Sequence, residues 1–431
     1  METLSRLIRT LRETCARLPD KRTGNNARYT MADIGMAAYS VFFMQSPSFL
    51  AHQRQLQEGP GHGRSNCETL FEMMGIPCDN HIRAMLDPVE PKLFFPVFDT
   101  AFEAMDECGG LEAFRQLGGH VLIALDGTEY FRSNDIRCGN CSRRARSGGK
   151  TEYFHTFLSA TMVAPGHNRV VSLPPEFISP QDGSEKQDCE SRAARRWLAG
   201  HGRRYAKLNP VYLGDGLFSR QPICEAVQAA GGHFLFVCKP ASHKTLQEWL
   251  DGVDLPKRVV PIKRGKKRFT YTYRWIEAVP LRDGDDAMTV NWLEIAIADA
   301  AGEVTYRNSF VTDLPVNADN VVEIAAAGRA RWKIENGSFN VLKTKGYNLE
   351  HNFGHGKDNL AAVLVTLNLL AFLFHTVAEF AEDRWRKALA IAGTRVAFFS
   401  KLRDITAFVL FPSWQVLFDT LTFKISLVVP P

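Results

Sequence analysis

Several familiar signatures are missing from this chain. It has no G-x-G-x-x-G, no G-x-x-x-x-G-K-[ST] and no G-x-S-x-G. Dinucleotide binding on a glycine-rich turn, Walker-type nucleotide hydrolysis and a serine nucleophile elbow therefore have no support. The His, Ser and Asp residues form no recognisable triad. No internal repeat or low-complexity segment is present, so a solenoid, a propeller or a disordered linker protein is excluded. The first residues, "METLSRLIRTLRETCARLPDK", lack a secretory h-region. The most apolar run, Leu360 to Phe374, is short for a membrane span and carries Thr366 and Asn368, so a core helix is expected. An excess of one sign of charge is also missing: the net charge is only +5 over 431 residues. The placement of charge therefore matters more than its total. Nine cysteines are scattered without a disulfide-like spacing, which suits reduced thiols and a cytoplasmic setting.

What remains is an ordinary globular composition, 45% hydrophobic and 23% charged, long enough for two or three domains. Residues 1–118 read as helical. "MADIGMAAYSVFFMQSPSFLAHQRQL" has helical apolar spacing, and "CETLFEMMGIPCDNHIRAMLD" reads as helix, break, helix. That pair fits a DNA-reading unit or a plain bundle equally well. From 119 to 240 the period changes. Strands are expected in "GHVLIALDGTEYF", "EYFHTFLSATMVAP", "NRVVSLPPEFISP", "NPVYLGDGLFS" and "HFLFVCKP". Between them, "KQDCESRAARRWLAGHGRRYAK" and "QPICEAVQAAGG" read as helices. Residues 241–312 are β-branched and aromatic, with turns at "DGDD" and "AAGE", and read as a β-rich insertion. Residues 313–385 return to helix, and 386–431 form a C-terminal tail.

Two acids share one context. Asp126 in "ALDG" and Asp215 in "LGDG" each follow an apolar run and precede Gly. Each is expected at or just past the C-terminal end of a strand. Adjacent strands would bring the two carboxylates together, and two such charges call for a cation. Oxygen ligands favour Mg²⁺ or Mn²⁺. Asp-Gly turns are the plain alternative for either acid alone. A third acid, Glu335, lies in "RARWKIENGSFNVLK". On a helix, Arg331, Glu335, Phe339 and Lys343 would share one face. A solvent-facing Arg331–Glu335 ion pair is the plain alternative there.

The order Asp, Asp, Glu, the strand and helix contexts, and "RWKIE" with a lysine downstream resemble the DDE transposases of bacterial insertion sequences. The resemblance covers roughly residues 119–380 and is most specific in "RWKIENGSFNVLK". It implies a ribonuclease H-like core, a mixed five-stranded sheet flanked by helices, interrupted by the β insertion known in one branch of that family. It implies Asp126, Asp215 and Glu335 as the metal-binding, catalytic triad, with Arg331 and Lys343 on the transposon-end phosphates. The partners it implies are double-stranded DNA, as terminal inverted repeats and target, and a second copy of the chain in the synapse. The activity would be cut-and-paste transposition. The chain departs from the family at two points: Gly328 stands where a tyrosine is common, and Leu342 where a lysine is common, with Lys343 one residue later. Two other readings are a metal-dependent nuclease without strand transfer and a domesticated DNA-binding protein without catalysis.

Basic clusters point to the same polyanionic partner. Lys257 to Arg274 holds eight basic residues and no acid, among them Lys263, Arg264, Lys266, Lys267 and Arg268, with Phe269, Tyr271 and Tyr273 interleaved. Such a run can neutralise phosphates while its aromatics stack on bases. A second basic run spans Arg137 to Lys150, and Arg192, Arg195, Arg196, Arg203 and Arg204 add a third. Within the second run, Cys138 and Cys141 form a C-x₂-C pair, half of a zinc site. His155 and Cys189 are the candidate partners for a structural Zn²⁺. Free thiols in a loop are the plain alternative.

Overall fold

In the computed structural model, which describes residues 1–23, 27–57, 65–180 and 188–422, the strand that carries Asp126 runs straight through it. The twelve strands are β1 (Arg115–Gln116), β2 (His120–Ser133), β3 (Ser142–Ala145), β4 (Thr151–Val163), β5 (Val171–Ser172), β6 (Glu176–Ile178), β7 (Pro210–Gly214), β8 (His233–Val237), β9 (Lys257–Arg264), β10 (Lys267–Pro280), β11 (Thr289–Ala298) and β12 (Val304–Thr312). They form one mixed sheet in the order β3-β4-β2-β7-β8-β12-β11-β10-β9. β2 is antiparallel to β4 and parallel to β7, and β7 is parallel to β8. Three short strands, β3, β6 and β5, line successive stretches of the outer edge of β4.

The expectation of a five-stranded sheet with a separate β insertion is corrected by β12. Its end, Phe310 to Thr312, pairs with Val237 to Leu235 of β8, and its whole length pairs with β11. The strand-rich segment therefore continues the core sheet. Its alternation is regular: Tyr271, Tyr273 and Trp275 are buried, so these aromatics serve the core. The base-stacking role expected for Tyr271 and Tyr273 has no exposed ring face to support it.

The helices at the two ends of the chain pack together. Met31–Phe43 opens on a capping box: the Asp33 N–H donates to Thr30 Oγ1 at 3.1 Å, and the Thr30 N–H donates to Asp33 Oδ2 at 2.9 Å. All thirteen of its residues are buried. It packs on Leu360–Ala381, a 22-residue helix. That helix is longer than the apolar run suggested, and by length and composition it could cross a membrane; inside the protein 89% of its most apolar window is buried. Asn368, the polar residue in its middle, donates to Tyr347 O at 2.8 Å. The segment read as a tail forms three helices, Asp383–Ala392, Arg395–Phe408 and Trp414–Thr422. They lie against the N-terminal helices: the Trp414 indole donates to Leu70 O, and Asn66 donates to Thr406 O and Val409 O.

The helix pair Asn66–Phe71 and Asp79–Leu86 is tied into the rest of the protein. Arg83 of the second helix donates to Phe353 O at 2.8 Å and pairs with Asp79. Asp87, just beyond that helix, accepts from the N–H groups of Lys357, Asp358 and Leu360. It thus satisfies donors at the start of the 22-residue helix, where an anion is favoured.

Candidate functional site

The register of β2 against β7 places the two aspartates. Ala124 is level with Leu213, and the parallel pairing stops there. Two residues further on, Asp126 and Asp215 come level with each other on the same face, since side chains alternate with period two. Asp215 lies one residue past β7, as expected. Asp126 lies in mid-strand, because β2 keeps its second partner: Asp126 is opposite Ser159 of β4. The Asp-Gly pair at 126–127 is therefore not a turn. At Asp215 the carboxylate also serves a turn, accepting from the Leu217 N–H at 2.8 Å.

Gly127 is needed for a different reason. A Cβ there would stand 2.2 Å from Glu190 Oε1. The missing side chain admits Glu190, the first residue of helix Glu190–Trp197, to the side of Asp126. Nothing in the sequence marked Glu190 as part of this site, any more than the nearby acids Glu129, Asp182 and Asp313. Glu129 is taken up by Arg144, and Asp313 by His233 and the Phe234 N–H; Asp182 lies outside the described residues. The signal for Glu190 was its place at a helix start, but only the glycine contact shows where it points.

Glu335 reaches the cluster from a distorted helix. The stretch 321–344 is not one helix: it is Val321–Arg329, a break, a π-helical turn Ile334–Phe339, and Asn340–Thr344. π-turns widen a helix and recur at functional sites. Arg331, in the break, donates from Nη2 to Glu335 Oε1 at 2.8 Å and from Nη1 to Asp126 Oδ2 at 3.2 Å. One guanidinium thus joins two acids that are 209 positions apart in the chain.

The electrostatics show an anionic site short of positive charge. Burial pushes the Asp126 carboxyl up to about 6; Arg331 opposes this, while the charges of Glu335 and Asp215 add to it. Burial pushes Glu190 up to about 7, with the charges of Asp126 and Asp215 adding. These acids sense one another, as carboxylates sharing a site do.

The basic residues divide. Arg331 faces the acids and is only partly exposed. Lys343 pairs with Glu350 at 2.9 Å. Arg196 is held by Asp188 and Glu176, and Arg204 by Asp99. Lys263, Arg264, Lys266, Lys267 and Arg268 all lie exposed at the β9–β10 turn. None of these five pairs with a carboxylate among the described residues.

A second cluster of possible metal ligands sits elsewhere in the sheet. Cys138 and Cys141 lie between β2 and β3, His155 on β4, and His355 ahead of the 22-residue helix; together they could hold a metal ion. Cys189 is not among them. It is exposed beside Glu190 and lines a separate cavity of about 340 Å³ with Asp188, Ser191 and Leu217. His355, in "HNFGHGKDN", was missed. Its only signal was a histidine in a glycine-broken loop, 200 positions from His155.

No protein-family model matches this chain, and no curated protein matches it significantly.

Proposed function

We propose that this protein is a DNA transposase of the DDE type, cutting transposon ends and joining them to target DNA. The observation that carries the reading is the convergence of Asp126, Asp215 and Glu335, in the order and strand contexts of that family, with Arg331 bridging the first and the last. The strand order β4-β2-β7-β8, with β4 antiparallel and the rest parallel, and the short strands on the outer edge of β4, support a ribonuclease H-like core. The long connection from β8 to the Glu335 helix, filled by β9 to β12, supports the branch with a β insertion.

Asp126, Asp215 and Glu335 would hold Mg²⁺ or Mn²⁺, with Glu190 beside them. Bound there, the ions would supply activation of a water or 3′-hydroxyl and charge stabilisation on a phosphodiester. Arg331 holds Asp126 and Glu335 together, and its guanidinium would be placed to meet a phosphate oxygen of bound DNA. The exposed turn Lys263 to Arg268 would follow the DNA backbone. A second copy of the chain would hold the second end. The sulfur and imidazole donors of the other cluster suit Zn²⁺ and have no part in this chemistry.

The test uses a labelled duplex taken from the DNA flanking the gene, incubated with Mg²⁺ or Mn²⁺ and a target plasmid. The reading expects cleavage at the element's ends, covalent joining to the plasmid, and loss of both with Asp126→Ala, Asp215→Ala or Glu335→Ala while end binding persists. Cleavage without joining would make the protein a nuclease. Binding without cleavage would make it a domesticated DNA-binding protein.

A further inference from the structure

We infer that Cys138, Cys141, His155 and His355 form a structural Zn²⁺ site that fastens the strand pair carrying Asp126 to the chain that follows Glu335. The inference stands whether or not the protein is a transposase.

With Zn–S near 2.3 Å and Zn–N near 2.1 Å, a tetrahedral S₂N₂ site has ligand separations of about 3.8 Å for S–S, about 3.6 Å for S–N and about 3.4 Å for N–N. The Sγ atoms of Cys138 and Cys141 are 3.8 Å apart. His155 Nε2 lies 3.5 Å from Cys138 Sγ and 3.4 Å from Cys141 Sγ. His355 Nε2 lies 3.3 Å from Cys141 Sγ and 3.1 Å from His155 Nε2. All four donor atoms fall within 4.8 Å of one another. The sulfurs are far too distant for a disulfide, whose bond is about 2.05 Å long.

The surroundings hold these atoms in place. The Cys141 N–H donates to Cys138 O at 3.3 Å, and the Cys138 N–H points at Cys141 Sγ at 3.4 Å, closing a tight turn. His355 Nδ1 donates to Gly356 O at 3.0 Å, which leaves the Nε2 lone pair aimed at the cluster. A bulge in β2 between Glu129 and Phe131 lets two consecutive rings turn inward. Tyr130 stacks on His155 at 5.5 Å, and Phe131 packs on His355 at 4.4 Å. Cys141, His155 and His355 are buried. Every protein position around an ion would be filled, as in structural zinc sites and unlike catalytic ones. Charge also balances. Each thiol releases its proton to solvent on binding, and two thiolates with two neutral imidazoles cancel the dication.

The position in the chain gives the site its role. His155 is on β4, the strand paired with β2 at Asp126. His355 follows the Glu335 helix and precedes the 22-residue helix whose start Asp87 holds. Asn140, inside the C-x₂-C loop, donates to Asp358 O at 2.7 Å across the same seam. The ion would tie together two arms of the candidate active site, which also meet where Arg331 joins Asp126 to Glu335 and where Lys333 donates to Asn168.

The test is metal analysis of the full chain, purified from zinc-supplemented culture and dialysed free of loose ions. Wild type should retain about one zinc per chain, and cobalt exchanged into it should show the visible bands of a tetrahedral S₂N₂ ion. His355→Ala and Cys141→Ser should retain almost none, and Cys189→Ser should retain the full amount. If the Ala variant does not fold, His355→Cys, which keeps a fourth ligand, should restore both folding and zinc. Hydrogen exchange should rise across residues 345–360 when zinc is stripped from wild type. A wild-type protein with no retained zinc and no tetrahedral cobalt spectrum, or a folded His355→Ala variant with full zinc, overturns the site. Unchanged exchange across 345–360 on stripping overturns the fastening role.

Discussion

The two polar clusters along this sheet are built from opposite materials. One gathers carboxylates: Asp126, Glu190, Asp215 and Glu335, hard oxygen donors with Arg331 between two of them. The other gathers two thiols and two imidazoles walled by Tyr130 and Phe131. The first is open, and Glu335 is half exposed. The second is closed, and three of its four residues are buried. An open set of like charges stores repulsion that an incoming cation and substrate can relieve. A closed set with a fixed number of soft donors leaves no place for substrate. On the proposed reading, the difference separates a place for chemistry from a place that holds the chain together.

Breaking the open cluster should have the largest effect. Glu335→Ala should lower metal-dependent cleavage of the end duplex by at least about a thousandfold, since a neutral methyl cannot replace a ligand oxygen. Folding should be intact, because Glu335 is a surface acid on one ion pair. Glu335→Asp should recover little of the rate, as the shorter arm misplaces the carboxylate. A Glu335→Ala variant that cleaves at the wild-type rate removes the acid cluster from the chemistry.

Breaking the closed cluster should show itself in stability. Stripping the metal with a chelator, or replacing Cys141 by Ser, should cost about 2–5 kcal/mol and lower the melting temperature by several degrees. The same chelator, used on His355→Ala, should change nothing further. An equal drop in both proteins would mean that the chelator acts elsewhere.

A smaller effect sharpens the comparison through pH. In metal-free protein the folded carboxyls of Asp126 and Glu190 sit at about 6 and about 7, above their ordinary values. The folded state therefore holds protons that the unfolded chain has already released. The stability they contribute is present at low pH and is lost as pH rises from about 4 through about 7. The expected loss is about 1–3 kcal/mol between pH 5 and 8, measured by denaturant melts. Mg²⁺ or Mn²⁺ should offset it at pH 8, and Glu190→Gln should reduce it. A loss of equal size in Glu190→Gln would place its origin elsewhere.

The smallest change in folding, with a clear change in binding, should come from the β9–β10 turn. Replacing Lys263, Arg264, Lys266, Lys267 and Arg268 with Ala should shift stability by less than about 0.5 kcal/mol, since all five are exposed. The salt dependence of DNA binding should flatten by about 0.9 in log–log slope per lost phosphate contact. An unchanged slope would mark the turn as a solvated hairpin.

Some of this was legible in the residues. The two apolar-acid-Gly contexts located Asp126 and Asp215, because a strand's hydrophobic run and the acid that interrupts it are local features. The basic turn at Lys263 to Arg268 was legible for the same reason. Half of the Cys/His group was visible, since C-x₂-C is a local spacing. Cys189 was a reasonable fourth ligand by distance in the chain and the wrong one in space. His355 and Glu190 were not legible, because each joins its cluster across long separations and neither has a local pattern that marks it. The β-rich segment read correctly as strands, but its merger with the core sheet depends on β12 finding β8.

The sequence by itself determined the alternation of β10, the capping box at Thr30, the order of the acids and the mild positive charge, since each follows from neighbours a few residues apart. Only the tertiary structure decided that Asp126 lies in mid-strand, that Gly127 makes room for Glu190, that Arg331 faces the acids and that His355 meets His155. These depend on β2 holding two partners at once and on a loop 200 positions away settling against it. No local preference encodes such a meeting. It arises when the whole chain buries its apolar faces, and the polar groups left at the seams must then find one another.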